Sequence, residues 1–255
     1  MMKAPRTLIT LGSAVIATAT VAGAATAGVA GAAGTSGSAN VPTTRAGIKL
    51  KAATEIDRRV HDLTAGVARA NQAKGLGAGR AALVTYLGAD VQPLTQLNQK
   101  IQAETTVQQA REDFGTIFTG FRVYALVLPA GRIAGDADRA TATTIPALTA
   151  AATKAQHDVN PGNAAVLQPL IDDLDAQVTA ASGASNGLAA TVLAYTPAAW
   201  NADHGLLSSA RAADQTTDTA LAKGRDDVRA IRSFLRDPLA GSRSGTSGAT
   251  TSTTS

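Results

Sequence analysis

The chain contains no cysteine, and only 3% of its 255 residues are aromatic. Without cysteine there are no disulfides, no thiol nucleophile and no lipid-modified cysteine. A scarcity of aromatic residues removes the side chains that usually contribute most to a core. The fold must therefore be held together by the packing of small and medium-sized apolar side chains.

Motifs for catalysis or metal binding are also missing. The three histidines lie far apart, and none has the spacing of a zinc-binding histidine pair. Asp136 and Asp138 resemble the start of a calcium loop, but Thr141 and Ala147 stand where glycine and a bidentate glutamate are required. The sequence GLGAG has no Lys-Ser or Lys-Thr after it, and we interpret it as a turn. We predict no catalytic residue, no cofactor-binding residue and no metal ligand.

The charge pattern argues against nucleic acid as a partner. The formal net charge is +4, and the basic residues are spread along the chain among aspartates. A protein that follows a phosphate backbone usually carries a stripe of lysine and arginine on one face. No such stripe is visible.

The first 32 residues have the three-part plan of a secretory signal peptide. Lys3 and Arg6 precede an uncharged segment that ends among small residues, and we expect cleavage near Ala32. A retained membrane anchor is the alternative, because about 20 apolar residues can span a bilayer. Alanine, glycine and threonine make this segment weakly hydrophobic, which favours cleavage. We therefore expect a secreted, extracellular or cell-wall-associated protein with no stable membrane span.

The composition changes sharply at both ends of the remaining chain. Residues 33–45 are a Gly/Ser/Thr-rich linker, and residues 237–255 form a Ser/Thr/Gly tail with few apolar side chains. Such segments do not bury enough apolar surface to offset the entropy of ordering. We assign residues 46–236 to one helical domain, with a flexible linker before it and a disordered tail after it.

Apolar residues between these ends recur at steps of three and four, which is the helical period. The stripes and their breaks predict about five helices, over residues 46–73, 80–128, 130–158, 163–196 and 204–236. Much of the apolar content is alanine, which buries little surface and lets helices approach closely. We predict an all-α fold, an elongated antiparallel bundle with a coiled-coil-like array of helices.

The run FRVYALVLP, residues 121–129, is the densest apolar segment after the leader. As a strand it would be apolar on both faces and would lack a partner strand. As a helix it continues one aromatic face, formed by Phe114, Phe118, Phe121, Tyr124 and Leu128.

We interpret this stripe as the best-packed part of the core. Separately, we predict a kink near Pro93 and a kink or helix start at Pro129, because proline removes an amide donor and clashes with the preceding turn. The alternative to a buried stripe is an exposed groove for a partner or ligand. Its candidate residues are Phe118, Phe121, Arg122, Tyr124 and Arg132.

Three segments resemble a group of secreted helical proteins of actinobacteria. They are EIDRRVHDL at 55–63, LNQKIQAETT at 97–106 and FRVYALVLPAGRIAGDADR at 121–139. The resemblance covers roughly residues 48–236 and is most specific in RVYALVLP followed by AD. It implies an exported helical bundle and brings no catalytic residues with it.

These observations favour a protein that works by contact, as a spacer, a surface component or a partner-binding bundle. Its partner would be another envelope protein or a second copy of the chain. The alternatives are a lipid- or glycan-binding carrier and a cell-wall hydrolase that uses scattered carboxylates. An internal apolar void would favour the carrier. Two carboxylates clustered with Arg122 or Arg132 in a concave site would favour the hydrolase.

Overall fold

A computed structural model describes residues 42–237, and 82% of them are helical with no strand among them. The fold is therefore all-α, as predicted, whereas the elongated antiparallel arrangement stays a prediction. The predicted signal peptide at 1–32, most of the predicted linker at 33–45 and nearly all of the predicted tail at 237–255 lie outside the described residues.

Within this range the chain forms ten α-helices and two π-helical turns. The helices are α1 (Arg45–Gln72), α2 (Arg80–Gly88), α3 (Val91–Ala103), α4 (Val107–Thr119), α5 (Leu128–Arg139), α6 (Ile145–His157), α7 (Ala164–Ser185), α8 (Leu188–Leu193), α9 (Pro197–Ala202) and α10 (Ser208–Arg236). The π turns are Val123–Val127 and Ala140–Thr144.

The single helix predicted over residues 80–128 is wrong, because the structure divides this segment into α2, α3, α4 and the first π turn. Pro93 lies in the first turn of α3, where backbone amides lack intrahelical acceptors, so its missing amide removes no intrahelical hydrogen bond. The helical path is interrupted just before it, between Gly88 and Val91. Thr106 begins α4 by accepting a hydrogen bond from the amide of Gln109 at 3.2 Å. Local capping thus divides a continuous apolar period into separate helices.

Prolines explain both π turns. The turn Val123–Val127 ends two residues before Pro129, and the turn Ala140–Thr144 ends two residues before Pro146. A proline ring lacks an amide donor and clashes with the carbonyl four residues earlier. A wider π turn moves that carbonyl, so the helical path continues through each proline. At Pro129, where a kink or a helix start was predicted, α-helical geometry begins at Leu128 directly after the π turn, so the proline marks a change of helix type and not a new helix after a break.

The buried side chains form two apolar clusters. The first joins α1–α5, α8, α9 and the start of α10, and its fully buried members include Ile48, Leu63, Leu94, Ile117 and Leu126. The second joins α6, α7 and the remainder of α10, and it includes Leu148, Leu167, Ile171, Leu174 and Ile231. α10 contributes to both clusters, as does the path from α5 into α6. These two helical segments therefore connect the cores.

The path Val107–His157 is long and apolar enough to cross a membrane by length and composition, the one such segment within residues 42–237. However, 44% of its most apolar window is buried in the fold, and core helices often meet the same criteria. This is weak evidence for a membrane span.

The loop between α1 and α2 is clamped onto α5 by a carboxylate. Asp138 accepts hydrogen bonds from the amides of Gly77 at 2.6 Å and Gly79 at 3.0 Å. A Cβ on Gly77 would lie 2.6 Å from the Cβ of Ala142. Because these positions are glycine, the loop backbone can approach Asp138 closely enough to form both hydrogen bonds. The segment GLGAG is therefore a turn, as interpreted from the sequence.

We predict that Gly77→Ala destabilises the protein by about 1–3 kcal/mol, because neither Cβ atom can move without shifting a backbone. Gly183→Ala is the matched control, since nothing lies within 4 Å of its Cβ position in α7. That change should stabilise the helix by roughly 0.5–1 kcal/mol. Urea unfolding of both variants measures the difference, and equal effects would contradict the clamp.

Candidate contact surface around Tyr124

Arg59 of α1 is the centre of a cluster of charged and aromatic side chains. Although it is charged, only 5% of its surface is exposed. Its Nη1 donates to the carboxylate of Glu55 at 2.6 Å and to the carbonyl of Glu55 at 2.8 Å. The guanidinium also lies over the rings of Phe118 at 4.7 Å and Tyr124 at 5.1 Å. Cation–π contacts of this kind gain strength when the cation is desolvated.

The charge balance within this cluster is visible at Glu55. Burial alone would raise the pKa of its carboxyl, but the hydrogen bond and charge of Arg59 outweigh that effect. Arg58 and Lys51 act in the same direction, so the pKa of Glu55 lies below its usual value. Glu55 is therefore a stable counter-ion for the buried guanidinium.

Tyr124 is fixed on the outer side of the cluster. Its hydroxyl donates to Asp62 at 2.7 Å, and Arg58 lies 4.9 Å from its ring centroid. Burial, followed by the hydrogen bond to Asp62, raises the pKa of the tyrosine hydroxyl. Even so, 38% of the residue is exposed. The result is an exposed aromatic ring whose position is set by neighbours on α1.

The break between α4 and the first π turn places Tyr124 in this position. Arg122 has a left-handed backbone with φ of 49°, which is uncommon for a residue other than glycine. Its Nε donates to Oδ1 of Asn201 at 2.6 Å, and Nδ2 of Asn201 donates to the carbonyl of Thr119 at 2.9 Å. Asn201 thus binds both sides of the break and compensates for the strained turn.

The predicted continuous aromatic face is therefore wrong, because the helix is interrupted before Phe121. Phe114 is buried and makes an edge-on contact with Phe118 at 5.3 Å between ring centroids. Phe118, Phe121 and Leu128 are only partly buried against the first cluster. The buried positions of the run are instead Val123, Leu126 and Val127, all within the π turn.

A surface groove of 430 Å³ begins at the exposed ring. We call it the Tyr124 groove, and its lining residues are Tyr124, Leu128, Pro129, Arg132, Ile133, Arg211 and Asp214. Among the five residues proposed from the sequence, it brings together Tyr124 and Arg132. Phe118 is linked to Tyr124 through Arg59, whose guanidinium lies over both rings. Arg122 and Phe121 do not line the groove, and Arg122 is engaged with Asn201.

Asp214 gives the groove a group that titrates near neutral pH. Burial raises the pKa of its carboxyl to about 6, with further contributions from the charges of Asp136 and Asp218. Arg132 acts in the opposite direction. Asp214 and Asp136 do not line the same groove. Asp136 lines a neighbouring groove and forms an ion pair with Arg132 at 3.5 Å.

Four members of this surface were not predicted from the sequence, namely Glu55, Arg59, Asp62 and Asp214. One local signal was available, since Glu55 and Arg59 have the i, i+4 spacing of a helical ion pair. Nothing local pairs Asp62 with Tyr124, because 62 residues separate them. Within residues 42–237 there is no group of three His, Asp or Glu side chains that could hold a metal ion.

A scan against protein-family models, a search of the curated proteins and a search of the solved structures each found no significant match to this chain. The assignment of this surface therefore rests on its geometry.

We predict that Arg59→Ala costs about 2–4 kcal/mol of stability, because it removes a buried cation and the packing of its stem. The adjacent Arg58→Ala should cost less than about 1 kcal/mol, since Arg58 is exposed. Chemical denaturation of the two variants checks this difference. Similar losses in both would mean that the buried guanidinium has no special role.

We also predict that Asp214 makes stability depend on pH. Its folded pKa of about 6 lies above the ordinary value of 3.8, so its favourable contribution is complete below 3.8 and is lost as pH rises through 6. Asp214→Asn cannot ionise and should flatten this part of the profile. Thermal melting of both proteins across that pH window measures the effect, which solvent screening keeps modest. Parallel profiles would contradict the raised pKa.

Proposed function

We propose that the protein is a secreted or envelope-associated helical interaction protein without catalytic activity, and that the Tyr124 groove is its contact surface. Its partner is another envelope protein or a second copy of the chain. The observation that carries this proposal is an exposed tyrosine held in place by Asp62 and Arg58 at the edge of a 430 Å³ groove. Tyrosine and arginine are enriched among residues that dominate binding energy at interfaces.

Preorganisation supports the same role. A tyrosine fixed before binding loses little conformational freedom when a partner covers it. Arg132 and Arg211 flank the ring with exposed guanidinium groups that can pair with carboxylates or carbonyls of a partner. The buried Arg59 beneath the ring supplies the rigid support that such a surface needs.

The absence of cysteine makes a site-specific test practical. Asp218→Cys places one thiol beside the Tyr124 groove, because Asp218 is exposed on α10 one turn after Asp214 and does not line the groove. A photo-activated cross-linker can be attached to this thiol before the protein is added to intact cells. We expect saturable capture of one partner, and Tyr124→Ala in the same background should lower that capture at least about tenfold. Mass spectrometry then identifies the captured protein.

Arg225→Cys is the control, because Arg225 is exposed farther along the same helix, α10, and does not line the groove. Its label should capture little. Equal capture from both positions, or capture that Tyr124→Ala leaves unchanged, would refute a contact role for this groove.

One observation favours a hydrolase as the second candidate. Asp214, Asp136 and Arg132 interact electrostatically, and a carboxyl with a pKa of about 6 suits a general acid. Against this role, Asp136 opens onto the neighbouring groove. Release of soluble fragments from purified cell wall decides between the two functions: turnover that Asp214→Asn abolishes would favour the enzyme, and no turnover would favour the contact protein.

A further inference from the structure

A second groove is lined by residues of α1, α2 and α5 and of the loop between α1 and α2. It has a volume of 280 Å³, and its apolar part consists of Leu76, Leu83, Leu87 and Leu128 together with Ala70 and Ala73. We call it the leucine groove. Gly66, Gly131 and Gly135 complete its walls, and a Cβ on Gly131 would lie only 2.7 Å from Cδ2 of Leu87. Leucine side chains therefore occupy the space that glycine leaves open.

The rim of the leucine groove is cationic. Arg69, Arg132 and Arg139 line it, and Asp136 is the only acidic residue among its lining groups. Arg132 and Arg139 share that one carboxylate, at 3.5 Å and 3.4 Å. Arg69 has no carboxylate partner within residues 42–237. Three guanidinium groups therefore face one acid, which leaves donors for a second anion.

An apolar floor and a cationic rim together fit one class of ligand. The leucines can cover a hydrocarbon chain, because the transfer of methylene groups from water to an apolar surface is favourable. The arginines can bind a carboxylate in the bidentate geometry that a guanidinium favours. We propose that the leucine groove binds a single-chain fatty acid, with the acyl chain along the leucines and the carboxylate at Arg69.

This inference is independent of the proposed contact function, although the two grooves share Leu128 and Arg132. Tyr124 lines only the groove on the α10 side. Tyr124→Ala should therefore leave fatty-acid binding unchanged, whereas it should remove partner capture. The failure of one proposal leaves the other standing.

The test is isothermal titration calorimetry of the purified protein with four probes: dodecanoate and dodecylammonium below their micelle concentrations, dodecanol below its solubility limit, and acetate. We expect dodecanoate to bind, dodecanol to bind at least about fivefold more weakly, and acetate and dodecylammonium to give no detectable binding. Lack of dodecanoate binding would overturn the proposal. Equal affinities for dodecanoate and dodecanol would also overturn it, because the carboxylate would then not be recognised.

Two variants locate the ligand. Arg69→Gln should weaken dodecanoate binding about three- to tenfold and leave dodecanol unchanged, because it removes only the charge at the rim. Ala73→Leu should weaken both ligands, because a larger side chain occupies the groove. Arg225→Gln is the control for a general loss of positive charge. Unchanged dodecanoate affinity in Arg69→Gln, or a Tyr124→Ala variant that loses it, would place the ligand elsewhere and refute the proposal.

Discussion

The buried guanidinium of Arg59 is the interaction on which the described surface depends. A cation that is 5% exposed requires a counter-ion and hydrogen-bond acceptors, and Glu55 supplies both from one turn earlier in α1. The remaining faces of the guanidinium are covered by Phe118 and Tyr124. Phe118 lies before the break after α4 and Tyr124 lies after it. Arg59 therefore holds the segments on both sides of that break against α1. The position of Tyr124 at the surface follows from this contact.

A second constraint comes from the share of alanine in the core, which supplies 12 of the 36 buried apolar side chains in the described part of the chain. Alanine contributes little apolar area, so helices must approach closely or extend over a long distance to accumulate stabilising contact. The chain does both, since α10 packs along α7 and also reaches the first cluster. Gly224 in α10 shows how close the approach is, because a Cβ there would lie 3.0 Å from Cδ1 of Leu148. The same small residues leave the surface grooves beside α5 that the leucines only partly fill.

The prolines show how local chemistry changes a helix without ending it. Pro129 and Pro146 each follow a π turn, and the helical path from the first π turn into α6 continues through both. Single π turns inside α-helices occur frequently at functional sites. Here the first turn directs Val123, Leu126 and Val127 into the core and leaves Tyr124 exposed. A regular α-helix over this segment would have placed the aromatic residues on one continuous face.

The sequence by itself determined the all-α class, because a helical period depends only on local spacing. It also predicted the limits of α1 and α10 to within a few residues. It also identified the segment that carries Tyr124 and Arg132. Tertiary structure alone decided which residues meet there. Asp62 and Tyr124 are separated by 62 residues, Arg122 and Asn201 by 79, and Gly77 and Asp138 by 61. Periodicity carries no information about such pairs, because a helical stripe shows which face is apolar and not which helix covers it.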